Sequence, residues 1–225
     1  MKKIAFVSGG KDSVAMFHLM LERGEAPDVV VNYDTGVEFQ ATMNVVETVK
    51  EHALSLGIEF VQLRPVRPFL YDMIEKPVRG RSDGTTGYSW CGGSCRWGTA
   101  GKREAFDRYL KTLTEPYEEC VGIAADEKKR MKDKRYPLAE YGITEAQALR
   151  YCHYLGYEWK EDGVDLYSIL DRVSCWCCAN KNLKELRNIH HYLPDYWEKL
   201  KSLESLTHKT MRKGTTLEAL ERKFM

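Results

Sequence analysis

Six residues near the start of the chain, Ser8-Gly9-Gly10-Lys11-Asp12-Ser13, separate a short apolar run, Lys3–Val7, from a nearly continuous apolar stretch, Val14–Leu21. The run has the length of a buried strand. The stretch begins beside Asp12 and Ser13, both favourable in a helix's first turn, so a buried helix follows. At such a junction two glycines let the backbone take positive φ and approach a ligand closely. Amides at the helix start, aided by the helix dipole, then make an anion site. Ser8 and Ser13 can add hydroxyl donors, and Lys11 a mobile positive charge. A plain Gly-Gly turn with Asp or Ser as cap is the bland alternative. Walker A and GxGxxG patterns are both absent, so neither an ordinary P-loop NTPase nor a dinucleotide site is expected.

The pattern beyond this turn repeats strand and helix. Asp28–Tyr33 is β-branched and continuous, as in an interior parallel strand. Thr42–Leu56 reads as helix, Ile58–Leu63 as a third strand and Cys120–Ile123 as a further one. Alternation at these lengths predicts an α/β fold, a doubly wound and mainly parallel sheet of about five strands. Arg79–Thr99 is rich in Gly, Ser and aromatics and lacks periodicity, which marks a long functional or mobile loop. The last third reads as helices over Thr144–Leu155, Leu183–Tyr192 and Tyr196–Leu206, and Thr144 to Gln147 fits a capping box. The expected division is a nucleotide-binding α/β core over 1–140. A helical C-terminal extension over 141–225 carries the second cysteine cluster and packs on the core.

Composition narrows the functional classes. The 225 residues carry 34 Lys+Arg against 33 Asp+Glu, a net charge of +1 that gives no bulk attraction to nucleic acid or anionic membrane. No apolar run approaches the ~20 residues of a membrane span. The first residues read as a strand and not as a signal peptide. The expectation is a cytoplasmic protein without membrane partners, whose seven cysteines are reduced thiols or metal ligands.

Five of those cysteines cluster. Cys91-x3-Cys95 and Cys175-x-Cys177-Cys178 are two short-spaced groups far apart in sequence. Cys91, Cys95, Cys175 and Cys178 can converge on one tetrahedral metal site, for zinc or for an iron–sulfur cluster. Cys177 is an alternative ligand or a free sulfur-relay thiol, and a redox-active thiol pair is the competing reading. Cys120 and Cys152 read as small core residues. His190-His191 lacks metal-type spacing and reads as helix.

Taken together, these motifs resemble a known family. Ser8–Ser13 (SGGKDS) is similar to the PP-loop of the ATP pyrophosphatases, of the adenine nucleotide alpha hydrolase-like fold. Asp34-Thr35-Gly36-Val37-Glu38-Phe39 resembles a DTGxEF segment of the phosphoadenosine phosphosulfate (PAPS) reductase branch. Trp90-Cys91 to Cys95-Arg96, Gly122 to Arg130 and Ser174 to Cys178 continue the match in order, over residues 3 to about 200. The resemblance implies that Ser8, Gly9, Gly10, Lys11, Asp12 and Ser13 hold the β,γ-pyrophosphate of ATP while chemistry occurs at the α-phosphate. At the carboxyl end of its strand the backbone around Tyr33, Asp34 and Thr35 is placed to receive adenine or ribose, with Asp12 or Glu38 helping to place Mg²⁺; the bland alternative makes Asp34 and Thr35 turn formers only. Arg130, in the basic run Lys128–Arg135, and Arg96 and Lys102 beside the cysteine loop, are candidate phosphate contacts. That run is otherwise a solvated face. Adenylyl-sulfate reductases and DNA phosphorothioation ATPases favour a [4Fe–4S] cluster over Zn²⁺ on the cysteines. In those reductases the first two cysteines are adjacent, whereas three residues separate them here, which keeps zinc in view.

Three departures shape the expected activity. The reductases lack a complete SGGxDS and use a nucleophilic cysteine near a flexible C-terminus, whereas no cysteine follows Cys178 here. The Arg of the family's GxRxxES segment is missing from Gly122–Lys128. The resemblance therefore implies an ATP- and Mg²⁺-dependent adenylating enzyme in which Lys11, Asp12, Ser13 and Arg130 act on the phosphates. Its acceptor is open among tRNA, DNA and a small molecule, and a sulfur or electron donor protein is a possible partner. The alternatives are a sulfonucleotide reductase forming sulfite and a non-catalytic nucleotide-binding subunit of a modification system.

Overall fold

Four parallel strands form one sheet in the computed structural model, which describes residues 1–93 and 95–225. They are β1 (Lys2–Phe6), β2 (Val29–Tyr33), β3 (Glu59–Leu63) and β4 (Tyr117–Val121), in the order β3-β2-β1-β4. Helices α1 (Lys11–Glu22) and α2 (Gln40–Ser55) make the connections among the first three strands. Helix α3 (Lys102–Leu110) precedes β4, and α4 (Pro137–Glu140) and α5 (Glu145–Tyr154) follow it. This is the doubly wound α/β fold that the sequence predicts.

The central strands are apolar on both faces because both faces are covered. Ile4 pairs with Val29 and Phe6 with Val31, and these four pack with Leu110 in one core. Phe106 lies against Phe6 with ring centroids 4.4 Å apart. Ala5 and Val30 alternate to the opposite face. Each Val, Ile, Leu or Phe among them, when fully buried, contributes roughly 1.5–3 kcal/mol of transfer free energy. Asn32 is the polar exception in β2, and its amide donates to the Val7 carbonyl at 2.8 Å.

Among the described residues the sheet has four strands rather than about five. Where a further strand would lie, Arg135 makes a single parallel bridge to Cys120, giving an amide to the Glu119 carbonyl and accepting from Val121. Pro137 then opens α4, so the pairing stops after one residue. The Arg135 guanidinium is taken up by Glu25, Glu118 and Glu140.

The chain divides into two compact units. The first comprises residues 1–34, 40–63 and 105–159 and holds the sheet with α1, α2, α4 and α5. The second comprises 35–39, 64–104 and 160–225. It contains a small hairpin of β5 (Lys160–Glu161) and β6 (Val164–Asp165), then α6 (Leu166–Ile169), α7 (Leu183–Tyr192), α8 (Pro194–Ser205) and α9 (Leu217–Phe224). Its helical core gathers Leu186, Ile189, Trp197 and Leu200, with the Trp197 ring against His190 and Phe224. Helix α5 thus belongs with the sheet, and its start carries the capping box between Thr144 and Gln147 that the sequence suggests. Among the described residues no helix is long and apolar enough to cross a membrane.

Candidate nucleotide and cysteine sites

The turn between β1 and α1 is held by its own hydroxyls. Ser13 Oγ accepts from the Ser8 amide at 3.1 Å and donates to the Gly10 carbonyl at 2.9 Å. Gly9 has φ +81°, and a Cβ there would stand 2.7 Å from Val46 Cγ2 and 2.9 Å from Thr42 Cγ2. Only glycine fits that backbone and that space. Trp159, fully buried, donates its indole N–H to the Gly9 carbonyl at 2.7 Å and fixes the turn from the other side. Gly10 is the helix N-cap and brings no side chain to the first-turn amides. Gly122, just beyond β4, packs directly on that first turn, and a Cβ on it would lie 2.7 Å from Ser13 Cα. The sequence marks Gly122 only as the first residue of the GxRxxES-like segment, and its packing on α1 has no local signal.

Three carboxylates gather beside the turn. One oxygen from each of Asp12, Glu127 and Glu145 lies within 4.8 Å of the others, close enough for the three to share one cation. Lys11 is not a mobile charge here. Its ammonium lies 2.9 Å from Asp12 and 3.0 Å from Glu145. Burial opposes the Lys11 charge, yet these two carboxylates hold its pKa above that of an ordinary lysine. Burial raises the Asp12 pKa, against the opposing pull of Lys11. Arg130 is exposed and pairs with Glu127. The sequence points to Asp12 and Arg130 and holds Glu127 within the Gly122–Lys128 segment without a role of its own; Glu145 becomes visible only when the fold brings it to α1.

Two of the cysteines, Cys95 and Cys175, come together within the second unit. Cys95 caps a π-helical turn, Arg96–Gly101, and its sulfur accepts the Gly98 amide at 3.1 Å. A Cβ on Gly98 would stand 3.0 Å from the Cys95 sulfur and 3.9 Å from that of Cys175, so both thiols face the same glycine. Asn180 bonds the Gly93 amide at 2.7 Å and the Gly93 carbonyl at 2.9 Å, tying the two cysteine segments together. Ser89, ahead of Cys91, is fully buried with φ +55°, and its hydroxyl has no partner among the described residues. Such strain clusters at functional segments.

Thr35 and Glu38, read from the sequence as nucleotide contacts, belong to this cysteine unit. Thr35 donates to Glu38 at 2.9 Å, Cys175 donates to the same carboxylate at 3.4 Å, and the Trp176 amide reaches the Val37 carbonyl. Burial, then Glu38, raises the Cys175 pKa well above an ordinary thiol's. Arg96 stacks on Tyr88 at 3.8 Å from the ring centroid. Asp34 stays in the first unit, its amide on the Leu63 carbonyl. Cys177 is buried, and Cys91, Cys95, Cys175 and Cys178 are half-buried.

Two comparisons bear on these sites. The phosphoadenosine phosphosulfate reductase domain model matches residues 2–136. An uncharacterized protein of Methanocaldococcus jannaschii is 30% identical over 215 residues, an alignment covering 87% of this chain and 40% of that protein. The chain thus spans about two fifths of the length of this relative.

Proposed function

Because the chain belongs to the phosphoadenosine phosphosulfate reductase family, we propose that it is an ATP pyrophosphatase that adenylates an acceptor. The observation that carries this reading is the pairing of a complete SGGKDS turn with the carboxylate group of Asp12, Glu127 and Glu145. The family supports adenine-nucleotide binding; the complete turn favours a triphosphate over a sulfonucleotide.

In the proposed reaction an acceptor oxygen attacks the α-phosphorus, the bond to the bridging oxygen breaks, and pyrophosphate departs with that electron pair. The acceptor's proton passes to solvent, and the adenylated product is then open to a sulfur or nitrogen nucleophile that displaces AMP. Turn amides of Gly9 to Ser13 orient the β,γ-phosphates. Asp12, Glu127 and Glu145 would hold Mg²⁺, a fit supported by their all-oxygen donor set. Lys11, released from Asp12 and Glu145, would carry its charge to the phosphates. Mg²⁺ supplies neutralisation of the charge that develops on the departing pyrophosphate.

Cys91, Cys95, Cys175 and Cys178 would hold a [4Fe–4S] cluster that serves sulfur transfer. The Gly98 amide on Cys95 is a donor of the kind that stabilises thiolate ligands. Four thiolates at ~2.3 Å from zinc stand about 3.8 Å apart. Zinc is the alternative occupant at that spacing; the cluster is favoured here by the resemblance to adenylyl-sulfate reductases and DNA phosphorothioation ATPases.

The test is AMP and pyrophosphate formation by wild type, Lys11→Ala and Ser13→Ala with candidate acceptors. Loss of a transition-state charge contact in Lys11→Ala should cost about 10²–10³-fold. AMP formation that survives both changes would place the chemistry elsewhere. Thermal stabilisation should follow ATP with Mg²⁺, worth about 2.7 kcal/mol at a hundredfold excess over Kd. Preference for adenylyl sulfate or PAPS would make the chain a sulfonucleotide reductase instead.

A further inference from the structure

Beside the cysteines, within the second unit, lies a cavity of about 520 Å³ whose wall includes Trp90, Gly92, Ala179, His208, Lys209 and Lys213. Gly92 and Ala179 adjoin Cys91 and Cys178, so the cavity shares its wall with both cysteine segments. Trp90 and Met211, both buried, supply its apolar part, and Trp90 is fixed by an indole N–H to Thr207 at 3.0 Å.

The charged part is one-sided. Lys209 and Lys213 are exposed and have no ion-pair partner among the described residues. The nearby acids are engaged. Glu204 accepts the Met211 and Leu217 amides at 2.8 Å each, and Asp83 accepts both the amide and the hydroxyl of Thr85. Burial lowers the His208 pKa, and the Arg81 and Lys209 charges lower it further, whereas Asp83 opposes them. A concave site of this volume with an apolar wall and a few convergent cations suits a ligand with one planar apolar part and one anionic part. Two ammonium groups can take up a phosphate as point charges, as lysine does at phosphate sites.

We propose that this cavity binds a phosphate-bearing nucleotide unit of the acceptor, either in a single-stranded nucleic acid or as a free nucleotide, and holds it against the cysteine site. That the ligand is the acceptor rests on the adenylation reading; that the cavity binds phosphate does not. A near-zero net charge is compatible with this, because the cation excess is local.

The experiment measures fluorescence anisotropy of a labelled single-stranded oligonucleotide, with unlabelled AMP and inorganic phosphate as competitors. Wild type is compared with Lys209→Ala/Lys213→Ala and with Lys209→Arg/Lys213→Arg. Loss of two phosphate contacts should weaken oligonucleotide binding about 25-fold at 0.1 M salt and lower the salt slope by about 1.4. The arginine variant should restore both. AMP binding with the same lysine dependence, and none by the oligonucleotide, would assign the site to a free nucleotide. Alanine variants that bind like wild type, or a wild type that binds none of the probes, would overturn the proposal. Thermal stabilisation by ATP is measured on the same samples and should persist in the alanine variant. Its absence from wild type would defeat the ATP reading while leaving the cavity's phosphate binding to stand or fall by the anisotropy.

Discussion

Replacing Gly9 with alanine combines two physical costs that two other glycines allow to be separated. Gly9 has φ +81°, and its added Cβ would meet Val46 Cγ2 at 2.7 Å, Thr42 Cγ2 at 2.9 Å and the Thr42 carbonyl oxygen at 3.0 Å. Left-handed backbone costs a residue with a Cβ roughly 1–2 kcal/mol. Overpacking typically adds about 1–3 kcal/mol, so Gly9→Ala should destabilise by about 2–5 kcal/mol. Gly24 has φ +70°, and a methyl added there would meet nothing within 4 Å, so it reports the backbone cost alone. Part of that cost is offset by about 0.4–1 kcal/mol from the stiffer unfolded chain. Gly122 lacks a positive φ, but its Cβ would lie 2.7 Å from Ser13 Cα and 2.8 Å from the Asp12 carbonyl, so it reports the clash alone. Those atoms are backbone and cannot rotate aside, so the first turn of α1 must move. Urea unfolding at constant m gives the three stabilities, and in a chain of this size about 2–4 °C of Tm accompanies each kcal/mol. ATP protection should be lost in Gly9→Ala and Gly122→Ala and kept in Gly24→Ala. A Gly9→Ala protein no less stable than Gly24→Ala, or a Gly122→Ala protein that binds ATP like wild type, would refute the reasoning.

Acid should expose a second feature of the first unit. His18 is buried with its Nε2 2.7 Å from the Tyr157 hydroxyl, and burial, then His52, lowers its pKa from 6.5 to about 4. The unfolded chain binds this proton near pH 6.5 and the folded chain only near 4, so stability falls as pH drops through that window, by about 3 kcal/mol in all. His18→Gln, which can still bond Tyr157, should flatten the dependence of the urea midpoint on pH over this range; an unchanged slope would assign it to other groups. The thiols offer a third check. Cys120 and Cys152 are fully buried, and burial pushes their pKa values up to about 11 and about 12. Both should resist iodoacetamide in the native protein at pH 8 and react in urea, as read by mass spectrometry; native labelling of Cys152 at the rate of an exposed thiol would contradict the packing.

Local chemistry makes much of the first unit readable. Val29–Tyr33 is apolar on both faces because it is the inner neighbour of β1, and its run of β-branched residues states this without help from the rest of the chain. In the second unit, helix α7 is legible at Leu183–Tyr192, and Asn182 and Glu185 form a capping box at its start. Helix α3 hides from a pattern reading, since its residues KREAFDRYL are mostly charged and only Ala105 and Leu110 are buried. A helix that covers a sheet with so narrow an apolar stripe leaves little periodic signal. The hairpin β5–β6 has two residues per strand, shorter than any alternation can reveal.

The sites are legible in residue type and not in grouping. Thr35 and Glu38 follow a strand as a nucleotide contact would, but their side chains meet Cys175, 137 residues beyond Glu38. No local pattern encodes that distance. What the grouping adds is electrostatic. Lys181 is 2% exposed, its ammonium 3.3 Å from Ser174 Oγ. Burial lowers its pKa, while Cys178, Glu185, Cys175 and Cys177 pull the other way. Lys102 stands in the same balance, lowered by burial and raised by Glu38 and Cys175. Burying cations among neutral thiols is costly, because a thiol gives back little of the lost hydration. Thiolates reverse the sign: each negative sulfur stabilises a buried ammonium and is stabilised by it. Carboxylates already offset part of this cost, Glu185 for Lys181 and Glu38 for Lys102, and thiolate ligands of the proposed cluster would offset more of it.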